Sequence, residues 1–324
     1  MRILFENGPD QPEALRFTPD RVSAAFAGRE ALLDDLDLVF SDTEETWQAQ
    51  SPTADIIVLG RHVALPQAAR DGPLRWIQTM SAGVEDIAAT LPDRVALTNA
   101  SGIHAAKGGE FVLAAALMLN FRIPKFAHDK PRKLWRPEFG PVLATRRVTL
   151  LGTGSIGAAG AAHLRRLGVS VTGVNRSGQA SPDFDRVVTV DRLDAVLPET
   201  DILVASAPLT PATEGLVDRR RIGLLPPGAG VAIVGRSRVF DFGALLDALT
   251  TGALSGLVSD VFDTEPLPPD DRVWTCPNLI VTPHCSVDDH ATILTDCLDL
   301  LVTNVQRFKS GEPLLRLVDK AAGY

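Results

Sequence analysis

Three residues suited to proton transfer and anion binding lie in the second half of the chain, each near the expected carboxyl end of a strand. They are Arg236 in VAIVGRSRVFD, Glu265 in SDVFDTEPLPP and His284 in IVTPHCS. A histidine donates a proton, an adjacent carboxylate favours the charged imidazole, and an arginine binds a carboxylate through two hydrogen bonds. Singly, each is more often a surface ion pair or a structural residue. Because ligands bind outside the carboxyl ends of strands in open α/β sheets, we predict that together they reach one crevice.

A glycine-rich stretch supplies the element beside which this crevice would form. An apolar run at 148–151 meets Gly152, Gly154 and Gly157 at G-x-G-x-x-G spacing, followed by a helical pattern, Gly168 as a C-cap and a second strand at 169–174. In such a unit the first glycine allows a tight turn, the second lets the backbone approach a pyrophosphate, and the third lets helix pack on strand. The pattern predicts a bound dinucleotide with its phosphates at the helix N-terminus, the alternative being an ordinary turn.

The end of the second strand bears on the choice of cofactor. It reads Asn175-Arg176-Ser177, where an NAD site presents Asp or Glu to the ribose hydroxyls. An arginine with small polar neighbours suits a 2′-phosphate, so we predict NADP(H) in preference to NAD(H), which stays possible. The alternative is an ordinary solvent-facing arginine.

Length and composition limit the classes of function that the protein can have. A chain of 324 residues predicts two domains, and a net charge of −8 argues against a nucleic-acid surface. Cys276, Cys285 and Cys297 show neither metal-ligand nor disulfide spacing, which predicts no metal site and a reducing, cytoplasmic location. The N-terminus lacks the pattern of a signal peptide, and the longest apolar run, 111–119, is too short to span a membrane. That run predicts a buried or subunit-facing helix.

Alternation of apolar runs with helical segments predicts an α/β fold with doubly wound parallel sheets. The turn at 80–84 follows a predicted strand and could hold a carboxylate on its N–H groups, the alternative being a plain strand-to-helix turn. We predict helices at 104–121 and 287–308, and a polar arm at 122–145 whose Trp135 packs on another surface, a second subunit among them. Besides the two strands of the glycine-rich unit, the predicted strands are 2–6, 37–40, 55–59, 76–80, 95–99, 186–190, 202–206, 230–234, 254–261 and 279–282.

Taken together, these motifs resemble the D-isomer-specific 2-hydroxyacid dehydrogenases. The similar segments are TNASGIHAAKGGEFVLAAAL, GTGSIG, DILVASAPLTPATEGLVD, VGRSRVFD, SDVFDTEPLP and TPHCS, in the family's order. The resemblance covers nearly the whole chain and is clearest over 75–290. Residues 175–177, Trp47 and the tail 318–324 look most similar to the NADPH-linked glyoxylate/hydroxypyruvate reductases within that family.

The resemblance implies a Rossmann-type dinucleotide-binding domain at 100–286 and a flavodoxin-like substrate domain formed by 1–99 and 287–324. It implies that Arg236 binds the 2-oxo acid, that His284 protonates the carbonyl oxygen, and that Glu265 pairs with His284.

Further site residues are also implied by the resemblance. Ala82 and Gly83 would offer backbone N–H groups to the substrate carboxylate, Trp47 would contact the substrate, and Asp260 would contact the nicotinamide end. The residues implied to bind the cofactor are Gly152, Thr153, Gly154, Ser155, Ile156, Gly157, Asn175, Arg176, Ser177, Ala207, Pro208, Thr213, Val234, Gly235 and Asp260.

Five positions depart from the family's pattern. Ile233 replaces a common Asn, Ser237 and Arg238 replace a Gly-Gly pair, and Cys285 with Ser286 replaces an apolar-small pair after the histidine. We expect Ile233 to affect the packing of the arginine loop, and Arg238 and Cys285 to alter the pocket wall, which leaves the identity of the substrate open.

The predicted function is transfer of hydride from NADPH to a small 2-oxo acid, giving the D-2-hydroxy acid. The partners expected are that small acid and a second copy of the chain in a homodimer, with no nucleic acid and no membrane. Two alternatives stay open: a dinucleotide-sensing protein similar to the corepressors built on this fold, and a phosphoglycerate dehydrogenase.

Overall fold

The computed structural model describes residues 1–61 and 63–323, so Tyr324, in the tail that carries part of the resemblance, lies outside the described residues. Contacts within the chain divide it into two compact units. The first unit comprises Met1–His104 and Asp289–Tyr324, and the second comprises Ala105–Asp288. The chain therefore passes between units at 104/105 and 288/289, a few residues beyond the domain boundaries proposed from the sequence.

Each of the twelve predicted strands is present in the described part of the chain, with ends that differ by at most two residues from the prediction. The strands are β1 (Arg2–Glu6), β2 (Asp37–Ser41), β3 (Ile56–Leu59), β4 (Trp76–Thr79), β5 (Ala96–Thr98), β6 (Arg147–Leu151), β7 (Ser170–Asn175), β8 (Arg186–Thr189), β9 (Ile202–Ala205), β10 (Ala229–Ile233), β11 (Leu254–Ser259) and β12 (Leu279–Val281).

These strands form two parallel sheets. In the first unit the order is β2-β1-β3-β4-β5, and in the second it is β12-β11-β10-β9-β6-β7-β8. The first order is that of flavodoxin-like sheets, and the second contains the Rossmann order with β6 at its centre. The strand order reverses direction between β1 and β3 and between β6 and β9, which are the points where such sheets bind ligands. The α/β fold class predicted from the sequence is confirmed.

Helices cover the sheets, and two predictions about them are corrected below. The helices of the described residues are α1 (Pro19–Ala25), α2 (Glu44–Gln50), α3 (Gln67–Asp71), α4 (Glu85–Ala88), α5 (Ala105–Asn120), α6 (Ile123–Asp129), α7 (Ser155–Arg166), α8 (Leu193–Val196), α9 (Arg219–Ile222), α10 (Phe242–Thr251) and α11 (Ile293–Ser310).

The first correction concerns the arm at 122–145, which contains helix α6. Arg122 adopts a left-handed conformation with φ of 58°, which ends the path of α5, and Pro124 lies in the first turn of α6. Proline favours that position because its missing N–H would be unpaired there in any case. Lys125 and Asp129 form an ion pair of 2.9 Å along the helix. Trp135, further along the arm, is 96% exposed in this chain.

The second correction concerns the last helix, which begins at Ile293 and not at residue 287. The backbone carbonyl of Asp289 accepts from the N–H groups of Thr292 and Ile293, and its side chain accepts from the N–H of Ala291 at 3.0 Å. An aspartate that bonds its own following backbone stabilises a turn in competition with helix. The apolar periodicity of this region therefore starts before the helix does.

Close packing of α5 against α7 fixes the position of the glycine-rich unit. A Cβ atom on Gly109 would lie 2.7 Å from the Cβ of Ala159, and one on Gly160 would lie 2.5 Å from a methyl of Val112. Only glycine permits such an approach of two helices. The predicted helix over 111–119 is confirmed as buried on this face, with Val112, Ala115, Ala116 and Leu119 among its buried residues.

Candidate active site

The glycine loop joins the end of β6 to the start of α7, at the switch point of the seven-stranded sheet. Gly152 has φ of 102°, in the left-handed region, and a Cβ there would lie 2.7 Å from the backbone N of Ala207. A Cβ on Gly157 would lie 2.2 Å from the carbonyl oxygen of Gly152, whereas one on Gly154 would meet no atom within 4 Å. The turn and the helix contact exclude a side chain at the first and third glycines. Gly154 leaves open space beside the backbone.

The start of α7 offers backbone donors next to that space. The N-cap residue is Gly154, which has no side chain to accept from the first turn, and its carbonyl accepts the first internal helix bond, from Ala158 at 2.8 Å. The N–H groups of Ser155, Ile156 and Gly157 precede that bond and have no partner within the helix. Phosphate oxygens bind well at such a helix start. The loop therefore fits the pyrophosphate of a dinucleotide.

Asn175 ends β7 and ties the following loop to the glycine loop. Its Nδ2 donates to Oγ1 of Thr153 at 2.9 Å, and its Oδ1 accepts from the backbone N of Gly178 at 2.6 Å. The next two side chains, Arg176 and Ser177, are exposed. Asn175 thus holds the loop in place, and the exposed side chains of Arg176 and Ser177 follow it.

The ends of β9 and β10 lie close to the glycine loop. Ala207 and Val234 are buried, at 5% and 4% exposure, and a Cβ on Gly235 would lie 2.7 Å from the carbonyl oxygen of Ala207. Within the loop after β9, Oγ1 of Thr213 donates to the carbonyl of Pro208 at 2.7 Å. The structure therefore gathers these five predicted cofactor residues at the carboxyl ends of neighbouring strands.

The three predicted catalytic residues follow three adjacent parallel strands. Arg236 follows β10, Glu265 follows β11 and His284 follows β12, and the strands are neighbours in the order β12-β11-β10. All three therefore lie at one edge of the sheet. Nδ1 of His284 is 2.6 Å from Oε2 of Glu265, so the predicted pair is formed.

Glu265 is held on both sides of its carboxylate. Its Oε1 accepts from the backbone N of Phe262 at 2.7 Å, while Oε2 contacts His284. A carboxylate that is ionised only accepts, and Nδ1 of His284 is then the donor of this bond. This contact uses Nδ1 only. The second ring nitrogen, Nε2, is therefore able to exchange a proton with a substrate. The side chains of His284 and Glu265 are 44% and 33% exposed.

Arg236 is half-buried, and one of its guanidinium nitrogens donates to the carbonyl of Gly235 at 2.9 Å. The next residue, Ser237, is buried, and its Oγ donates to Oδ1 of Asp263 at 2.6 Å. That bond ties the arginine loop to the segment that carries Glu265. The sequence offered no signal for this connection beyond the two departures from the family's glycine pair.

Ile233 and Arg238, which also depart from the family's pattern, occupy different environments. Ile233 is fully buried at the end of β10, in the core of the second unit. Arg238 is exposed and pairs with Glu214 at the surface. The expected effect of Arg238 on a pocket wall stays a prediction.

Asp260, at the end of β11, is fully buried and anchors the loop that carries His284. Its Oδ1 accepts from Oγ1 of Thr282 at 2.6 Å and from Oγ of Ser286 at 2.7 Å. Backbone N–H groups of Cys285 and Ser286 also donate to its two oxygens, each at 3.2 Å. Sequence reasoning missed this network. The predicted contact of Asp260 with a cofactor stays a prediction.

In the first unit, the turn after β4 presents backbone donors. The carbonyl of Ala82 accepts from Nδ2 of Asn99 at 2.8 Å, and that of Gly83 accepts from Oγ of Ser81 at 2.8 Å. Within the described residues, the N–H groups of Ala82 and Gly83 donate to no protein acceptor. Adjacent unpaired N–H groups form a concavity suited to an anion.

Trp47 lies on α2 in the core of the first unit, where it is 1% exposed. Its indole N–H is buried and has no hydrogen-bond partner among the described residues. Here Trp47 packs as a core side chain, and its predicted contact with a substrate stays a prediction.

In residues 1–61 and 63–323 there is no cluster of three or more His, Cys, Asp or Glu side chains that could hold a metal ion. The helices of that same part of the chain include none that is both long and apolar enough to cross a membrane.

Comparison with known proteins identifies a family whose model matches most of the second unit. The model of the D-isomer specific 2-hydroxyacid dehydrogenase, NAD binding domain, matches residues 113–286. Glyoxylate/hydroxypyruvate reductase A of Salmonella newport is 29% identical over 215 residues, which cover 66% of this chain and 68% of that protein.

Solved structures match over nearly the full length. A D-isomer specific 2-hydroxyacid dehydrogenase from Xanthobacter autotrophicus, in complex with NADPH and MES, is 28% identical with a TM-score of 0.83 and 99% coverage of both chains. The NADPH-dependent glyoxylate/hydroxypyruvate reductase from Sinorhizobium meliloti, in complex with NADP and sulfate, is 26% identical with a TM-score of 0.83 and 100% coverage of both.

Proposed function

This chain belongs to the D-isomer specific 2-hydroxyacid dehydrogenase family, and on that premise we propose that it reduces a small 2-oxo acid with NADPH to the D-2-hydroxy acid. The observation that carries the proposal is the pair of His284 and Glu265, joined at 2.6 Å at the same sheet edge as Arg236. A cation, a proton donor and a carboxylate that orients the donor are the groups that reduction of an anionic carbonyl compound requires.

Each residue has a distinct role in the proposed reaction. Arg236 binds the substrate carboxylate, and the N–H groups of Ala82 and Gly83 in the first unit are proposed as donors to an anion. Nε2 of His284 gives its proton to the carbonyl oxygen, and Glu265 stabilises the imidazolium beforehand. When bound, the reduced nicotinamide supplies the hydride. The positive charges of Arg236 and His284 also stabilise alkoxide character in the transition state.

We propose residues 100–286 as the dinucleotide-binding domain and 1–99 with 287–324 as the substrate domain. The glycine loop with the start of α7 would hold the pyrophosphate, and Asp260 the nicotinamide end. A preference for NADPH is supported by Arg176 and Ser177, which are exposed where an NAD site would present an acid. The similar structures described above were solved with NADPH and with NADP.

A small substrate such as glyoxylate or hydroxypyruvate is supported by the names of two relatives.

A homodimer is supported by the arm of the second unit, where Trp135, Phe139 and Val142 are 96%, 95% and 73% exposed. Large apolar side chains at such exposure indicate a protein contact. Cys276, Cys285 and Cys297 form no disulfide among the described residues, which suits a reducing cytoplasm.

A substrate panel tests the proposal. We would compare kcat/KM for glyoxylate, hydroxypyruvate, pyruvate, phenylpyruvate, a branched 2-oxo acid and phosphohydroxypyruvate, each with NADPH and with NADH. The proposal expects the highest value for glyoxylate or hydroxypyruvate with NADPH. The highest value for phosphohydroxypyruvate would favour a phosphoglycerate dehydrogenase. Tight NADPH binding without turnover of any acid would favour the sensing protein.

A further inference from the structure

The loop at 282–286 holds the backbone of His284 in an unfavourable conformation. His284 has φ of 48°, in the left-handed region, where a residue with a Cβ is disfavoured. Its backbone N donates to the carbonyl oxygens of Asp260 at 2.9 Å and Thr282 at 3.0 Å. Such conformations persist only where surrounding contacts hold them. The contacts that hold this loop therefore also decide where the imidazole points.

Those contacts converge on the carboxylate of Asp260, which is fully buried. Two hydroxyls, of Thr282 and Ser286, and two backbone N–H groups, of Cys285 and Ser286, donate to it. Because the group is closed to water, solvent does not replace a donor that is lost: Oδ1 keeps its other donors, but the loop loses one of the contacts that hold it and shifts. The donors flank His284 on both sides, so such a shift moves the imidazole.

Ser286 donates to Asp260 through both its hydroxyl and its backbone N–H. Its Oγ is 2.7 Å from Oδ1 of Asp260 and 3.0 Å from Oγ1 of Thr282, and its backbone N is 3.2 Å from Oδ2 of Asp260. With both hydroxyl hydrogens directed to Oδ1, the two side chains close the loop across the base of the turn. An alanine at 286 would keep the backbone bond and remove only the hydroxyl.

We infer that Ser286 is a positioning residue of the reaction: through Asp260, its hydroxyl holds the loop so that Nδ1 of His284 meets Glu265. The inference rests on the proposed function, because it assigns Ser286 a role only if His284 is the proton donor. Ser286 itself contacts neither the imidazole nor the carboxylate of Glu265 in the bonds described. It acts on the pair through the backbone that carries His284.

The test compares Ser286→Ala with Ser286→Thr, which keeps the hydroxyl. Ser255→Ala is the matched control, because Oγ of Ser255 donates to the carbonyl of Ala229 at 3.2 Å in the same unit. For each variant we would measure kcat and KM for glyoxylate, the Kd of NADPH by fluorescence, and Tm. We expect Ser286→Ala to lower kcat by about tenfold, the effect of losing one hydrogen bond to a carboxylate. The KM for glyoxylate should change by less than about twofold, since it does not depend on proton transfer.

Recovery of kcat in Ser286→Thr and an unchanged kcat in Ser255→Ala would support the inference. A Ser286→Ala enzyme with wild-type kcat, or with a lower Tm as its sole change, would overturn it while leaving the proposed function intact. An equal loss of kcat in Ser286→Thr would also overturn it. If the wild-type protein reduces no 2-oxo acid, the proposed function fails first, and this inference fails with it.

Discussion

Replacing Glu265 by glutamine removes the charge beside His284 and one of two acceptors. The carboxylate now serves two donors, Nδ1 of His284 at 2.6 Å and the backbone N of Phe262 at 2.7 Å. A glutamine amide has a single oxygen, so one of these donors must face its NH2 group. The substitution therefore breaks one hydrogen bond whichever way the amide turns.

The size of the effect follows from the exposure of the pair. A hydrogen bond to a charged group contributes about 1.5–3 kcal/mol. Because the two side chains are 44% and 33% exposed, water replaces part of the lost contact, and the lower end of that range applies. About 1.5 kcal/mol corresponds to roughly a tenfold fall in kcat/KM for reduction.

The assay is steady-state reduction of glyoxylate by NADPH over a range of pH, with the Kd of NADPH measured alongside. Glu199→Gln is the control, because Glu199 is an exposed carboxylate that pairs with Arg186 at 3.1 Å in the same unit. It should behave as wild type. A Glu265→Gln enzyme within twofold of wild type at every pH would refute the assignment of Glu265 as the partner of the proton donor.

Four other outcomes are expected. His284→Ala should lower kcat by about 10²–10⁴ with NADPH binding retained. Arg176→Ala should raise the KM for NADPH about tenfold, the effect of one charge-assisted bond, and leave that for NADH little changed. Burial raises the pKa of the Glu6 carboxyl, against the opposing effect of Arg61, so the contribution of Glu6 to stability is largest below the ordinary glutamate pKa and falls as pH rises through the raised value. Glu6→Gln removes that dependence, so its Tm relative to wild type should increase between about pH 4 and about pH 7. Light scattering should give the mass of a dimer, and Trp135→Asp should shift it toward the monomer.

Each of these has an outcome that contradicts it. Wild-type turnover in His284→Ala would mean that the proton donor lies elsewhere. Equal effects of Arg176→Ala on both cofactors would remove the basis for a preference for NADPH. A Tm difference between Glu6→Gln and wild type that stays constant with pH would show that Glu6 ionises in the fold as it does in the unfolded chain. A monomer at micromolar concentration would leave Trp135 without the proposed partner.

Sequence alone determined the features of this protein that depend on neighbours along the chain. The strands were predictable because each is a short apolar run bounded by polar turns, and buried parallel strands have that pattern. The glycine loop was predictable because its spacing lies within six residues and two of its positions have local conformational or steric requirements. Gly152 needs a left-handed φ, and Gly157 has no room for a Cβ against the carbonyl of Gly152.

Two helix predictions were wrong, because neighbouring residues there favour different local structures. Helix α6 is not predicted from the sequence because the segment around Pro124 is polar and contains a proline, although proline suits the first turn of a helix. The last helix was started too early because its apolar periodicity extends back across Asp289, whose hydrogen bonds hold a turn.

Tertiary structure alone decided which distant side chains meet. Residues 260 and 282–286 belong to different strand–loop segments, and only the parallel pairing of β11 with β12 places the buried carboxylate of Asp260 beneath the loop of His284. The bond between Ser237 and Asp263 likewise requires β10 beside β11. Trp47, selected as a substrate contact, is a core residue of the first unit. Sequence patterns report the burial and turn preference of each segment, whereas the partners of a buried polar group are set by long-range packing that no single segment contains.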